Sequence, residues 1–312
     1  MKELKENRKD LLIFDAGDLL FKKFTRPIPE NELKKVTDKA YLFIESLNQM
    51  GYDALGIGDD DLSLGKEFLV QISKEANFPF LSSNLIDEES GKLRFKPYLL
   101  KEINGLRIGI FSLLSPDVFL SPTDPRKKGL IFENPVEVTQ RVIKELQPKT
   151  DMIILLSHLS YPKDVELAQT VSGIHFIFGS HTRANLVYPP LIKSTYIFQT
   201  GSKGLYAGRL ELNFFNNTFS FYNSSEKRAI ERRIGYTRSR LMSKQISETE
   251  KAQLQKAKEE TEKTLARFHG KNELTNIIFA LRDHIRDDPE ILKMINEYKS
   301  KYPEPKKPAP SK

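Results

Sequence analysis

The chain of 312 residues contains no cysteine and no tryptophan, and only five histidines. Without thiols it forms no disulfide, thiolate zinc site, iron–sulfur cluster or covalent haem link, so any metal must be held by His, Asp, Glu or Asn. Long apolar runs are missing too. No stretch approaches the roughly 18 consecutive apolar residues of a membrane-spanning helix, and the opening MKELKENRKD lacks the apolar core of a secretory signal. As written, the chain is expected in the cytoplasm. No internal repeat is present. The 39% hydrophobic and 10% aromatic residues, all of the latter Phe and Tyr, fit a globular protein.

The formal charge is +7, which raises the question of nucleic acid as a partner. Its distribution argues against that class. Residues 223–312 carry 21 Lys and Arg against 14 Asp and Glu, and the rest of the chain holds 28 of each. The basicity therefore belongs to the C-terminal segment and says nothing about a site elsewhere. It fits a solvated helical appendage, or a docking element whose charge would speed association with an acidic protein partner.

Along the first 180 residues one grammar recurs, a short apolar run followed by polar residues. It appears at 11–15 before Ala16-Gly17-Asp18, at 52–58 before Asp59-Asp60-Asp61, and at 80–81 before Ser82-Ser83-Asn84. It appears again at 108–111 before Ser112, 152–156 before Ser157-His158, and 174–178 before Gly179-Ser180-His181. Each run reads as a buried parallel strand whose carboxyl end delivers polar groups. Helical spacing fills the intervals at 31–50, 66–76, 135–146 and 163–171, so an α/β sheet is expected. Residues 196–199 and 208–214, separated by the turn Gly201–Gly204, read as an antiparallel hairpin closing this domain. Beyond residue 223 the composition turns to Lys, Glu, Arg, Gln and Ala. Ser247 with Glu250 makes a capping box for a helix running to about Gly270, and Asp288-Pro289 starts another that reaches Tyr302. The expected division is 1–222, a helical basic extension 223–302, and a disordered tail 303–312.

Among the strand-end residues, Asp18, Asp59, His158 and His181 combine carboxylate with imidazole, the donors that hold a divalent metal without thiolate. They lie beyond the carboxyl ends of strands, where open α/β sheets place ligands. Bland readings stand beside this one. Either His could be a hydrogen-bonded structural residue, Asp18 a helix cap, and Asp59–Asp61 a solvated turn.

The same residues, in order, carry a resemblance to the calcineurin-like metallophosphoesterases, within them the bacterial 5'-nucleotidase and UDP-sugar hydrolase family. DLLIFDAGD (10–18) resembles the family strand that ends in Gly-Asp, and YDALGIGDDDLSLG (52–65) its Gly-Asn-His-Glu block. The segments 78–85, 105–116 and Ser157-His158 also correspond. Gly179-Ser180-His181-Thr182-Arg183 is similar to the Gly-His block, and 197–212 to the closing hairpin. The resemblance implies a layered β-sandwich of metallophosphoesterase type flanked by helices, here with a C-terminal helical extension, and hydrolysis of a small phosphate ester by two metals that share one Asp.

Carried over by position, Asp18 is the bridging carboxylate, His158 and His181 ligate the second metal, and Asp59 stands where the family has an Asn ligand. The implied cofactor is Mn, Zn or Mg, one ion or two. Departures fall on the other half of the centre. The Asp-x-His of the first family strand has no counterpart, Asp60 replaces the catalytic His, and Arg183 replaces a metal ligand with a group that cannot coordinate a cation. Arg183 is thus expected to offer a fixed positive charge to a phosphate, and with Asp60 makes up the expected catalytic pair. The alternative is a catalytically inactive protein that uses the fold for binding. The abrupt start also fits a Met1 internal to a longer frame, with Met1–Asn7 ending a helix after a missing first strand, as in a selenoprotein-related lineage. On that reading the protein is periplasmic. The family's nucleoside-binding C-terminal domain has no counterpart in residues 223–312, so nucleotide specificity does not carry over.

Overall fold

The computed structural model describes residues 10–201, 204–243, 246–282 and 285–303. The expected tail 303–312, apart from Pro303, and the helix end at Met1–Asn7 lie outside the described residues. Among the described residues two compact units form. One comprises residues up to Ala184, Leu191–Gln199 and those from Arg282 onward; the other comprises Asn185–Pro190 and Thr200–Leu281. The division differs from the boundary expected at 222, because residues 200–222 group with the segment that follows them.

In the first unit the strands are β1 (Phe14–Asp15), β2 (Ala54–Gly56), β3 (Phe80–Leu81), β4 (Leu85–Asp87), β5 (Tyr98–Ile103), β6 (Leu106–Leu114), β7 (Leu130–Phe132), β8 (Met152–His158), β9 (Phe176–Gly179), β10 (Leu191–Ile192) and β11 (Thr195–Phe198). A parallel sheet runs β1-β2-β3, and a six-stranded sheet runs β10-β11-β9-β8-β6-β5. In the larger sheet β6, β8, β9 and β11 are parallel, and β5 and β10 are antiparallel at its edges. β4 and β7 form a separate antiparallel pair.

The two main sheets stack closely. A Cβ on Gly56 would sit 2.8 Å from Ser112 Oγ and 3.3 Å from the Leu156 side chain, and Phe14 meets Phe178 edge-on at 4.8 Å between ring centroids. This is the layered α/β sandwich the sequence implied. All seven residues of β8 are buried, as expected for a central parallel strand covered on both faces.

The helices of this unit are α1 (Glu30–Met50), α2 (Gly65–Ser73), α3 (Pro135–Leu146) and α4 (Tyr161–Thr170). Each falls within a few residues of its expected span. α1 buries Ala40, Ile44 and Leu47, spaced at helical intervals, and stops at Gly51, whose φ of 67° closes the last turn. α3 begins at Asn134, whose side chain accepts from the N–H groups of Val136 and Glu137, with Pro135 in the first turn. Leu20, Ile44, Leu55, Ile57, Leu62, Leu69 and Ile72 fuse the β1-β2-β3 sheet and its helices into one core. That core anchors the turns that follow β1 and β2.

The second unit departs from expectation. β12 (Tyr206–Asn213) does not form a hairpin with β11. It pairs antiparallel with β14 (Asn272–Ala280), which also takes β13 (Phe221–Asn223) in parallel on its other side. Helices α5 (Ser224–Leu241) and α6 (Glu248–Ala266) join β13 to β14. The β14 sequence NELTNIIFA lies inside a segment whose Lys and Glu content reads as helix. Its β-branched run makes a strand only because β12 and β13 supply ladders on both edges. Ser247 Oγ accepts from the Glu250 N–H as the capping box required.

Helix α7 (Pro289–Lys301) returns to the first unit, where Tyr298 donates its hydroxyl to Lys35 O and Lys301 and Tyr302 both reach the Asp38 carboxylate. Among the described residues no helix is long and apolar enough to cross a membrane.

Phe111, fully buried on β6, packs in the larger sheet that holds β8. Phe111→Ala is expected to lower the unfolding free energy by about 3–5 kcal/mol through lost burial and the cavity left behind, read from the denaturant midpoint by circular dichroism.

Candidate metal centre

Asp18 follows β1, Asp59 follows β2, His158 is the last residue of β8, and His181 lies just past β9. One ligand atom from each comes within 4.8 Å of the others. His158 Nε2 is 3.1 Å from Asp59 Oδ1 and 3.3 Å from Asp18 Oδ2, and His181 Nδ1 is 3.3 Å from Asp59 Oδ1. His158 is completely buried, whereas the His181 side chain is 32% exposed. The cluster thus has a closed back and a solvent-facing side.

Backbone geometry brings these groups together. Asp18 (φ 65°) and His181 (φ 63°) both occupy the left-handed region, a conformation that costs a non-glycine residue about 1–3 kcal/mol and concentrates at functional sites. The turns touch where a side chain could not fit. A Cβ on Gly17 would lie 2.3 Å from Gly58 N, and one on Gly58 would lie 2.3 Å from Asp18 Oδ1 and 2.7 Å from His158 Cε1.

Asp61 ties the turns to each other. Its Oδ2 accepts from Asp18 N (2.8 Å) and Gly58 N (2.9 Å), and its Oδ1 from Leu19 N (2.9 Å) and Leu20 N (3.0 Å). His158 is oriented from behind, with Nδ1 3.0 Å from Ala16 O and 2.7 Å from Ser180 Oγ. A proton on Nδ1 donated to the Ala16 carbonyl aims Nε2 at the two carboxylates, so that a cation replacing the proton on Nε2 would find the ring already oriented as a ligand.

The electrostatics follow from burial and crowding. Burial disfavours a charged His158, but Asp18 and Asp59 outweigh it and raise its proton affinity well above the ordinary imidazole value. Burial raises Asp59 as well, and its hydrogen bonds to His158 and His181 more than reverse this, so its carboxyl titrates below the usual range. Asp61 is pushed up to about 7 by burial and by the neighbouring Asp18 charge, and Asp60 to about 6 by the same two causes. In chemical terms, two carboxylates and two imidazole nitrogens converge on a space where a cation would relieve their repulsion. That donor set suits a divalent metal.

No family model matches the chain. Its sequence is 27% identical over 237 residues to a 5'-nucleotidase of Vibrio cholerae, an alignment covering 66% of this chain and 41% of that protein. The structure of a 5'-nucleotidase precursor from Thermus thermophilus superposes with a TM-score of 0.55 at 26% identity, covering 70% of this chain and 45% of that one. The calcineurin-like phosphoesterase YfkN of Bacillus subtilis superposes with a TM-score of 0.63 at 18% identity, covering 96% and 86% of the two chains. The chain is thus similar in sequence to bacterial 5'-nucleotidases and shares the fold of the calcineurin-like phosphoesterase YfkN. It spans less than half the length of the curated 5'-nucleotidase it matches.

The four residues expected to hold metal therefore converge. The other two do not join them. Asp60 donates its N–H to Asp18 Oδ1 (2.8 Å), but its own carboxylate turns to Phe24 N (2.7 Å) and Arg126 Nη1 (2.9 Å). Arg183 is exposed, and among the described residues it has no ion-pair partner. Asn84, at a strand end, bonds Leu114 through both amide atoms and fastens the end of β6 rather than reaching the cluster.

Arg126 is the residue that sequence reasoning missed. Its Nη1 lies 2.8 Å from Asp59 Oδ2, although it sits in a basic stretch, Arg126-Lys127-Lys128, that reads as a solvated loop. The one local signal was Asp124-Pro125, a turn-start pair, and Asp124 does accept the Arg126 N–H.

Metal-free stability has a defined pH sign. His158, Asp60 and Asp61 hold protons more tightly folded than unfolded, so their net effect destabilises as pH rises through their folded values; Asp59 acts oppositely, losing its contribution on acidification below the carboxylate range. Between about pH 5 and about pH 8 the raised groups dominate. The Tm of protein stripped with chelator should therefore fall across this range. Manganese should raise Tm most at the alkaline end, where it need not displace protons. Thermal melts with and without the ion measure both.

Proposed function

We propose that this protein is a metal-dependent hydrolase of phosphate esters, 5'-nucleotidase-like in its fold and simplified in its centre. The observation that carries the reading is the convergence of Asp18, Asp59, His158 and His181 at strand ends, with the His158 ring already oriented by Ala16 O. These four residues would hold one divalent cation, Mn, Zn or Mg. A bound divalent cation supplies Lewis acidity to a phosphoryl oxygen and lowers the pKa of an attacking water.

The protein's own groups do the rest. His158 is fixed by its Nδ1–H and presents Nε2 from the buried side, while Asp18 and Asp59 supply the negative charge that attracts the cation. Arg183 lies two residues beyond His181 on the exposed side, within the segment that would meet an incoming phosphate, and pairs with its oxygens. Asp60 is the acid in this reading. Phe24 N and Arg126 hold its Oδ1, and burial with the neighbouring Asp18 charge pushes its carboxyl up to about 6, so it would give a proton to the leaving oxygen on the acidic side of neutrality. The substrate class is a small phosphate ester, and nucleotides are candidates because the relatives are 5'-nucleotidases.

A second reading has one observation in its favour. Asp60, where the family carries its catalytic histidine, is already engaged by Arg126, which suits a fold kept for binding.

Metal content and hydrolysis of an aryl phosphate under added manganese separate the two. The hydrolase reading expects bound metal and turnover, with His158→Ala losing both. Asp60→Asn is expected to keep the metal while lowering kcat about 10²–10⁴-fold, the usual worth of a general acid. Metal without any turnover in the wild type supports the binding protein instead.

A further inference from the structure

Arg126 stands 67 residues from Asp59 in sequence and is among the most enclosed charged groups of the chain, its side chain 2% exposed. Its guanidinium uses every edge. Nε and Nη2 bind the two oxygens of Asp124 at 3.0 and 2.9 Å, and Nη1 reaches both Asp59 Oδ2 at 2.8 Å and Asp60 Oδ1 at 2.9 Å. Phe24 and Phe119 flank the plane, their ring centroids 4.3 and 5.0 Å from Cζ. The group has no path to a substrate arriving from solvent. Whatever it does for the centre passes through the carboxylates it holds.

We propose that Arg126 is a positioning residue for the metal ligands. By binding Oδ2 of Asp59 it turns Oδ1 toward His158 and His181, and it neutralises the charge that Asp59 carries where the related family has a neutral amide. The role rests on the reading of the cluster as a divalent-cation site. It requires an arginine, because one planar fork satisfies three carboxylates in fixed directions, which a lysine ammonium on a flexible stem does not do. An ordinary buried ion pair would stabilise the fold without regard to what occupies residue 59. A positioning residue makes its effect conditional on Asp59.

The test is a double-mutant cycle on the full chain, with manganese affinity by titration calorimetry and a thermal melt recorded for each protein. Arg126→Met and Arg126→Lys are each expected to weaken manganese binding 10- to 100-fold or thereabouts, the usual effect of losing an outer partner of a ligand. In an Asp59→Asn background the same Arg126→Met change is expected to alter affinity by no more than about twofold, because a neutral amide needs no counter-ion. Equal losses in both backgrounds, or unchanged or tighter binding in Arg126→Met, overturn the positioning role. If Arg126→Met fails to fold, Arg126→Lys in the two backgrounds carries the same comparison. A wild-type protein that binds no manganese overturns the metal-centre reading and this role with it. Wild-type binding that is indifferent to residue 126 overturns the role alone.

Discussion

The Asp61 carboxylate accepts four backbone N–H groups, from Asp18, Leu19, Leu20 and Gly58. Through those bonds the turns after β1 and β2 become one platform. Charge-assisted bonds to backbone donors are among the stronger hydrogen bonds available in a protein, and here they hold Asp18 in a left-handed conformation it would otherwise avoid. The glycines at 17 and 58 are the steric counterpart of the same device, since the turns approach more closely than any Cβ permits.

On that platform the protein collects more negative charge than an interior normally tolerates. Asp59, Asp60, Asp61 and Asp124 are all buried, with Asp18 beside them. Isolated buried carboxylates are costly, and a fold keeps them only with partners or with a cation. Arg126 satisfies the side that faces Phe24 and Phe119. His158 and His181 face the opposite side, where their ring nitrogens meet the Asp18 and Asp59 carboxylates and complete the candidate donor set for a divalent cation. Function and stability are thus coupled in one network: the groups that would bind the cation are the ones whose charge the fold must otherwise suppress.

The α/β frame was legible because its signals are local. Apolar runs of strand length, helical periodicities and caps such as Asn134 and Ser247 depend on neighbours within a few residues, and each observed helix of the first unit lies close to its expected span. The misread elements depend on distant partners. β12 takes β14, 60 residues or more further along, instead of the nearby β11, and β14 itself is a strand because of the ladders on either side of it. Pairing is chosen by which edge is free and in register, and a single sequence does not display that.

The candidate site divides along the same line. Order and residue type placed Asp18, Asp59, His158 and His181 at strand ends, and parallel strands in one fold must bring such ends to one side; the sequence by itself therefore determined which donors could meet. Only the tertiary structure decided the orientation of each. It turned the Asp60 carboxylate away to Phe24 and Arg126, left Arg183 in solvent, and folded an unremarked loop arginine against Asp59. The physical reason is distance along the chain. Strand-end placement is written in short-range periodicity, whereas a salt bridge between residues 59 and 126 exists only after the core has brought their segments together.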